Sequence, residues 1–322
     1  MTPPTRTPKP HKSLALILSP YHVGLPHHRV GAGPDRLAPA LAAQLASLLP
    51  FNAITITTLP AVHASAEGEM GRTFALLTHL SRAVAAAKAR GAFPLVLAGN
   101  CCSTVGVAAG LRVAEEISKK GDATDDGLGF VWIDAHDDLD TPDTNENGYL
   151  DATAAAMLAG GCFRRLLATV PGHVPRGLAG RFAYCGLRDV TALQRGAVRD
   201  AGVDVVWGST EQRVDFAGEL RAVLRGRGAG FGSRAVVHFD LDSIDQSVGH
   251  ANEFPSFGGL LEEDVLGVMG VLTEEGAIPP AAITVCSFNP DCKDGDRVAD
   301  VAIKGVVKFV EGLLARGILV PE

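Results

Sequence analysis

The sequence predicts a three-layer α/β fold, with helices on both faces of a doubly wound, mainly parallel sheet of about eight strands. Three observations predict it. Short apolar runs recur from one end of the 322-residue chain to the other, helix-length segments separate them, and no Pro/Gly/Ser-rich linker, internal repeat or low-complexity block divides the sequence. Residues 13–322 therefore read as a single domain, and the basic, proline-rich residues 1–12 as a disordered tail.

SLALILS at 13–19 reads as the first strand, and a helix over 35–49 starts just after Pro34. AITITTL at 53–59 is the next strand, followed by a helix over 72–90 that Gly91 closes. FPLVLAG at 93–99 leads into a helix over 105–120, stopped by Gly121. GFVWIDA (129–135), RFAYCGL (181–187), DVVWG (204–208) and AVVHFDLD (235–242) supply four more strands. A helix over 261–276, the strand AAITVCSF at 281–288 and a helix over 298–316 ended by Gly317 complete the chain. Most strands are nearly continuous in apolar residues, as strands covered on both faces are. Sheets of this kind bind ligands at the carboxyl ends of their strands.

Composition narrows the function. The chain is 47% hydrophobic and 20% charged with a net charge of -7, so it offers no basic field for nucleic acid. SLALILSP is too short, and too abruptly ended by Pro20, for a secretory signal or a membrane span. Six cysteines lie mostly singly in apolar runs, unlike a disulfide framework, which points to a reducing, cytoplasmic setting.

Unusual polar groups sit at three strand ends. In WIDAHDDLDTP, Asp134, His136 and Asp138 fall two residues apart as an apolar strand runs out. In VHFDLDSID, Asp240 and Asp242 have the period-two spacing that puts both on one side of an extended chain. LVLAGNCCSTVG places Asn100, Cys101 and Cys102 directly after a strand. Four carboxylates at one sheet edge repel one another unless cations neutralise them. Mostly oxygen donors with one imidazole suit Mn²⁺-like ions, and four carboxylates suit two ions that hold and acidify a water. Each motif alone also fits a turn with capping aspartates and a solvated histidine.

With these motifs in this order, the chain resembles the ureohydrolase family of arginases and agmatinases over nearly its whole length. RVGAGPDRL (29–37), DAHDDLDTP, CGLRDV (185–190), FDLDSID, the glycine pair Gly258–Gly259 and FNP (288–290) carry the resemblance. It implies an arginase-like catalytic domain in which Asp134 and Asp240 touch both manganese ions. Asp138 would complete one ion's shell, and His136 with Asp242 the other's. The family's GGDHS motif falls on AGNCC, so its histidine ligand falls on Cys101, whose thiolate suits Zn²⁺ or Fe²⁺ better than Mn²⁺. Cys102 reads as a packed small residue. By analogy the protein would be a homo-oligomer, a trimer or hexamer.

The resemblance breaks where substrate is read. The family's guanidinium-gripping glutamate falls on Ser287, its proton-shuttling histidine on Asp151, and an aspartate after GLRDV on Thr191. The expectation is that Glu253, with Asn252, takes over recognition of a small guanidino or amidino substrate. Asp151 would orient or protonate the leaving nitrogen, with His136 also catalytic, and Asp140, Asn147 and Ser287 would join the substrate-binding set. The implied function is binuclear metal-dependent hydrolysis of a C–N bond in a linear amidine, other than plain arginine. One alternative substrate is an N-hydroxyguanidine resembling N-hydroxyarginine. The other alternative is an inactive, metabolite-binding relative.

Overall fold

The computed structural model describes residues 10–62, 67–118 and 127–322. Among the described residues, the ten strands are β1 (Ser13–Ser19), β2 (Tyr21–His22), β3 (Leu25–Pro26), β4 (Ile54–Thr58), β5 (Ala92–Ala98), β6 (Leu128–Ile133), β7 (Phe182–Leu187), β8 (Asp204–Trp207), β9 (Arg234–Asp240) and β10 (Pro280–Cys286). β2 and β3 form a small antiparallel hairpin, and the other eight make one sheet in the order β4-β1-β5-β10-β9-β6-β7-β8. Every pairing in that sheet is parallel. The α/β class expected from the sequence is the class observed.

Side-chain alternation divides the core between the two faces of the sheet. Leu14 and Leu16 of β1 join Leu95, Val237 and Ile283 on one face, while Ala15 and Ile17 join Val96, Trp132 and Val236 on the other. Helices α1 (Gly33–Leu48), α7 (Phe216–Arg227), α8 (Glu262–Thr273) and α9 (Gly295–Ala315) cover the first face. Helices α2 (Gly68–Ala89), α3 (Ser103–Ser118), α4 (Ala154–Ala159), α5 (Arg164–Leu167) and α6 (Ala192–Asp200) cover the second. Burying each large side chain, such as Trp132 or Phe93, contributes about 1.5–3 kcal/mol.

The strand order places the site. The chain leaves β5 for β6 and returns later to lay β9 and β10 between them. A crevice at the carboxyl ends of these four strands is where such sheets bind ligands. Each of the four delivers polar residues there: Cys101 after β5, Ser287 after β10, Asp240 and Asp242 at the end of β9, and Asp134 to Asp138 after β6.

Residues 1–9 of the expected tail lie outside the described residues, but its last residues are not loose. His11 N–H donates to Ile318 O, Val320 N–H donates to His11 O, and Lys12 N–H donates to Gly91 O. The backbone of residues 11 and 12 is thus satisfied by Gly91 and by the chain's other end, where Glu322 N–H donates to Lys12 O, a pairing no local signal carries. Two longer helices also lacked a sequence expectation. In α6 only Val198 is buried, so its apolar stripe is faint, although Thr191 and Gln194 form a reciprocal capping box at its start. Asp215 caps α7 by accepting from Gly218 N–H.

Candidate metal centre

β5 ends in a turn built to aim Cys101. Asn100 Oδ1 accepts Val23 N–H at 2.6 Å, and its Nδ2 donates to Asp151 Oδ2 at 2.8 Å. The N–H groups of Cys101 and Cys102 donate to the same carboxylate, each at 2.9 Å. A Cβ on Gly99 would lie 2.1 Å from Tyr21 O, so only glycine lets the hairpin close over this turn. Cys101 Sγ then donates to Asp240 Oδ2 at 2.8 Å, whereas Cys102 is packed in the apolar cluster of the second face.

The β6 and β9 motifs meet it from the other side. Asp134 Oδ1 accepts His136 N–H at 2.7 Å, and Oδ2 accepts Trp132 Nε1–H at 2.9 Å. His136 Nδ1 lies 3.3 Å from Asp242 Oδ2 and 3.7 Å from Asp134 Oδ1. Asp240 Oδ1 accepts Asp242 N–H at 2.8 Å, and Asn252 Nδ2 donates to Asp242 Oδ2 at 2.8 Å. Asp138 has a left-handed backbone, φ 52°, and so does Ser287, φ 65°. Strain of this kind concentrates in functional sites.

These groups perturb one another. Burial, then the neighbouring Asp242 and Asp134, pushes Asp240 well above the usual carboxylate range. Burial, Asp134 and Asp151 do the same to Asp138. Burial opposes charge on His136, but Asp242, Asp134 and Asp189 outweigh it and hold the imidazole well above its ordinary value. Burial also raises the Cys101 thiol.

The residues fit divalent cations. Asp137 Oδ2 and Asp138 Oδ2 are buried with no hydrogen-bond partner among the described residues, and a cation would satisfy such orphaned oxygens. Two donor sets, each with ligand atoms within 4.8 Å of one another, share Asp134. One is Cys101, Asp134, Asp138 and His238, and the other is Asp134, His136 and Asp242. His238 was missed in the sequence, although its period-two spacing with Asp240 and Asp242 was legible there.

The arginase family model matches residues 12–310. The chain belongs to the arginase family. The arginase of Bacillus caldovelox is 26% identical over 309 residues, covering 91% of this chain and 96% of that one. Among solved structures, the Entamoeba histolytica arginase in complex with L-ornithine shares the fold with a TM-score of 0.78 at 18% identity, covering 94% and 99%. The agmatine ureohydrolase of Thermoplasma volcanium has a TM-score of 0.64 at 16% identity, covering 95% and 92%. The arginase family consists of binuclear metal-dependent hydrolases of C–N bonds, and the buried Asp, His and Cys groups here can bind metals.

The family expectations about substrate residues fare unevenly. Asp140, Asn147, Asn252 and Ser287 line the cleft above Cys101, His136, Asp138, Asp240 and Asp242. Tyr149 and Phe254, missed in the sequence, stack with centroids 5.7 Å apart as its aromatic wall, and Gln194 reaches it from α6. Glu253 does not line it. Its Oε1 accepts Arg29 Nε–H and Asn289 Nδ2–H, each at 2.9 Å, so the carboxylate already has a cationic partner outside the cleft. Asp151 borders the cleft, but three N–H groups converge on its carboxylate. These three bonds position the turn that carries Cys101.

Arg188 of the CGLRDV motif has a similar structural task. Its guanidinium donates to six backbone carbonyls, those of Gly186, Asp242, Ser243, Ile244, Ser256 and Phe257. This fastens the Asp242 loop to β7. Gly259 packs against it, since a Cβ there would lie 2.6 Å from Arg188 Nη2. Arg188→Met is expected to cost roughly 2–4 kcal/mol by stranding several carbonyls, read by chemical denaturation. A cost under about 1 kcal/mol would refute the role.

Proposed function

We propose that the protein is a metal-dependent hydrolase of a linear amidine or guanidino compound, with an N-hydroxyguanidine favoured over a plain guanidine. The observation that carries this reading is the convergence of Cys101, Asp134, His136, Asp138, Asp240 and Asp242 at the ends of four central strands, below an aromatic-walled cleft. Two divalent ions, when bound, supply acidification of a water and charge stabilisation at the attacked carbon.

The chain's own residues would orient the substrate. Tyr149 and Phe254 suit the flat face of an amidine, while Asn145, Asn147, Gln194 and Asn252 offer amide donors and acceptors around it. Asn252 is held by bonds to Asp242 Oδ2 and Ser287 Oγ. Of the lining carboxylates among the described residues, Asp137, Asp140 and Asp151 stand outside the cation cluster. Burial pushes the Asp137 pKa up to about 6, Asn145 Nδ2 braces Asp140 at 3.0 Å, and three N–H groups hold Asp151. A fully cationic guanidinium therefore meets little dedicated negative charge, and burying it unpaired is costly. N-hydroxylation lowers the basicity of the group and so reduces that cost.

The test is a panel of guanidino, amidino and N-hydroxyguanidino compounds, assayed for urea, hydroxyurea or amine release after loading with Mn²⁺, Zn²⁺ or Fe²⁺. The N-hydroxy member of a matched pair is expected to show at least about tenfold higher kcat/KM, equivalent to about 1.4 kcal/mol. Preference for arginine itself would refute the substrate assignment, and no turnover by fully metal-loaded protein would refute the hydrolase.

A further inference from the structure

His238, Cys286 and Thr104 form a buried group behind the carboxylates, and Cys286 and Thr104 have no part in the hydrolase reading. His238 is 0% exposed at the end of β9, two residues before Asp240. Its Nδ1 lies 2.7 Å from Thr104 Oγ1, and donating there leaves the Nε2 lone pair facing Cys286 Sγ at 3.7 Å and Asp134 Oδ2 at 3.7 Å. Trp132 stacks on the ring, with centroids 3.5 Å apart and planes 12° from parallel. Cys286 Sγ is in turn 3.9 Å from Cys101 Sγ. Cys101, His238, Asp240 and Cys286 bring their ligand atoms within 4.8 Å of one another, all from buried side chains.

We propose that Cys101, Cys286, His238 and Asp240 form a soft metal seat, selective for Zn²⁺ over Mn²⁺, set deeper in the sheet than the carboxylate cluster. The proposal rests on the reading of the cleft as a metal centre. Four features of the geometry carry it. First, tetrahedral Zn²⁺, with bonds of about 2.3 Å to sulfur and about 2.0 Å to nitrogen, spaces its ligand atoms about 3.3–3.8 Å apart. The sulfur–imidazole separation of 3.7 Å falls within that spacing, and the sulfur–sulfur separation of 3.9 Å lies just above it. Second, two sulfurs and an imidazole are the donors that thiophilic ions choose over Mn²⁺. Third, a metal-ligating histidine is held through its other nitrogen, as Thr104 holds His238. Fourth, the donors come from the β5–α3 turn, β9 and β10, so the sheet itself fixes their spacing. The imidazole that the resemblance assigned to position 101 thus returns from β9, two strands away across β10. On metal uptake the thiol protons, including the one on the 2.8 Å contact between Cys101 and Asp240, leave for solvent.

The test uses the full chain loaded with Zn²⁺ for X-ray absorption, and with Co²⁺ for thiolate-to-metal charge-transfer absorption. Two sulfurs at about 2.3 Å are expected around one zinc. Cys286→Ser is expected to reduce the sulfur count to one and weaken Zn²⁺ binding at least about tenfold, while Cys292→Ser changes neither. A sulfur count of zero or one in the unmutated protein overturns the proposal, whatever the variants do. Ions bound through oxygen and nitrogen alone would overturn this seat and leave the hydrolase standing. Failure to retain any ion would overturn both.

Discussion

Asp151→Ala is expected to lower folding stability by roughly 3–5 kcal/mol and to reduce metal occupancy at the same time. The side chain of Asp151 is 2% exposed and accepts from Asn100 Nδ2, Cys101 N and Cys102 N at 2.8–2.9 Å. Each buried donor left without an acceptor costs about 1–3 kcal/mol, and bonds to a carboxylate are the stronger kind. The carboxylate also sits at the start of α3, where negative charge is favoured by the helix dipole. Since these bonds set the direction of Cys101, metal affinity is expected to fall about 10–100-fold, as it does when the groups that orient ligands are removed. Asp151→Asn keeps one acceptor oxygen and is expected to fall between the two. Denaturation and metal analysis of the same preparations separate this from a proton-transfer role. If Asp151→Asn loses kcat while stability and metal content stay at the starting level, the positioning role is wrong.

Asp151 also illustrates which parts of the site the sequence could convey. The eight strands of the sheet were legible to within about two residues. The inner six were so because parallel strands covered on both faces are apolar nearly throughout, and the edge strands β4 and β8, largely exposed or half-buried, through their β-branched and aromatic residues. The carboxylate motifs were legible because charges at the end of such a strand demand an explanation. What a residue pairs with across the fold was not. Glu253 and Asn252 are neighbours in sequence, yet Asn252 turns into the cleft toward Asp242 while Glu253 turns out to Arg29, which is 224 positions away. Asp151 sits on the segment after the first metal motif, yet its bonds go to the β5–α3 turn about fifty residues earlier. His238 lay inside an apolar strand, where a lone histidine reads as a core residue. Its meaning depends on Cys101 and Cys286, which only the strand order brings beside it.

The same crowding predicts a linkage between metal and protons. Divalent metal is expected to bind more tightly as pH rises and to release protons on binding near pH 7. Asp138 and Asp240 are held above their ordinary range by burial and by each other's neighbours, and His136 is held protonated by Asp242, Asp134 and Asp189 despite burial. The sign follows from the direction of each shift. A group whose folded pKa is raised stabilises the fold below its unfolded value, near 4 for the carboxylates and 6.5 for histidine, and loses that stabilisation as pH climbs through the folded value. Asp242 is shifted down, with burial opposing and His136 driving the shift, so its contribution is complete above about pH 4 and does not offset the loss. EDTA-treated protein should therefore become less stable between about pH 4 and 8. Metal needs the deprotonated ligands, so its stabilisation should grow across the same interval, reaching about 4 kcal/mol at a thousandfold excess over Kd. Thermal melts with EDTA or with metal at pH 5, 6, 7 and 8 measure both trends, and calorimetry in buffers of different ionisation enthalpy counts the released protons. The double variant Asp138→Asn, Asp240→Asn should reduce the EDTA trend to the part carried by His136, because neither amide titrates. A Tm that rises with pH in EDTA, or a metal-induced shift that is the same at pH 5 and pH 8, would show that these carboxylates are not the groups that a cation must displace protons from.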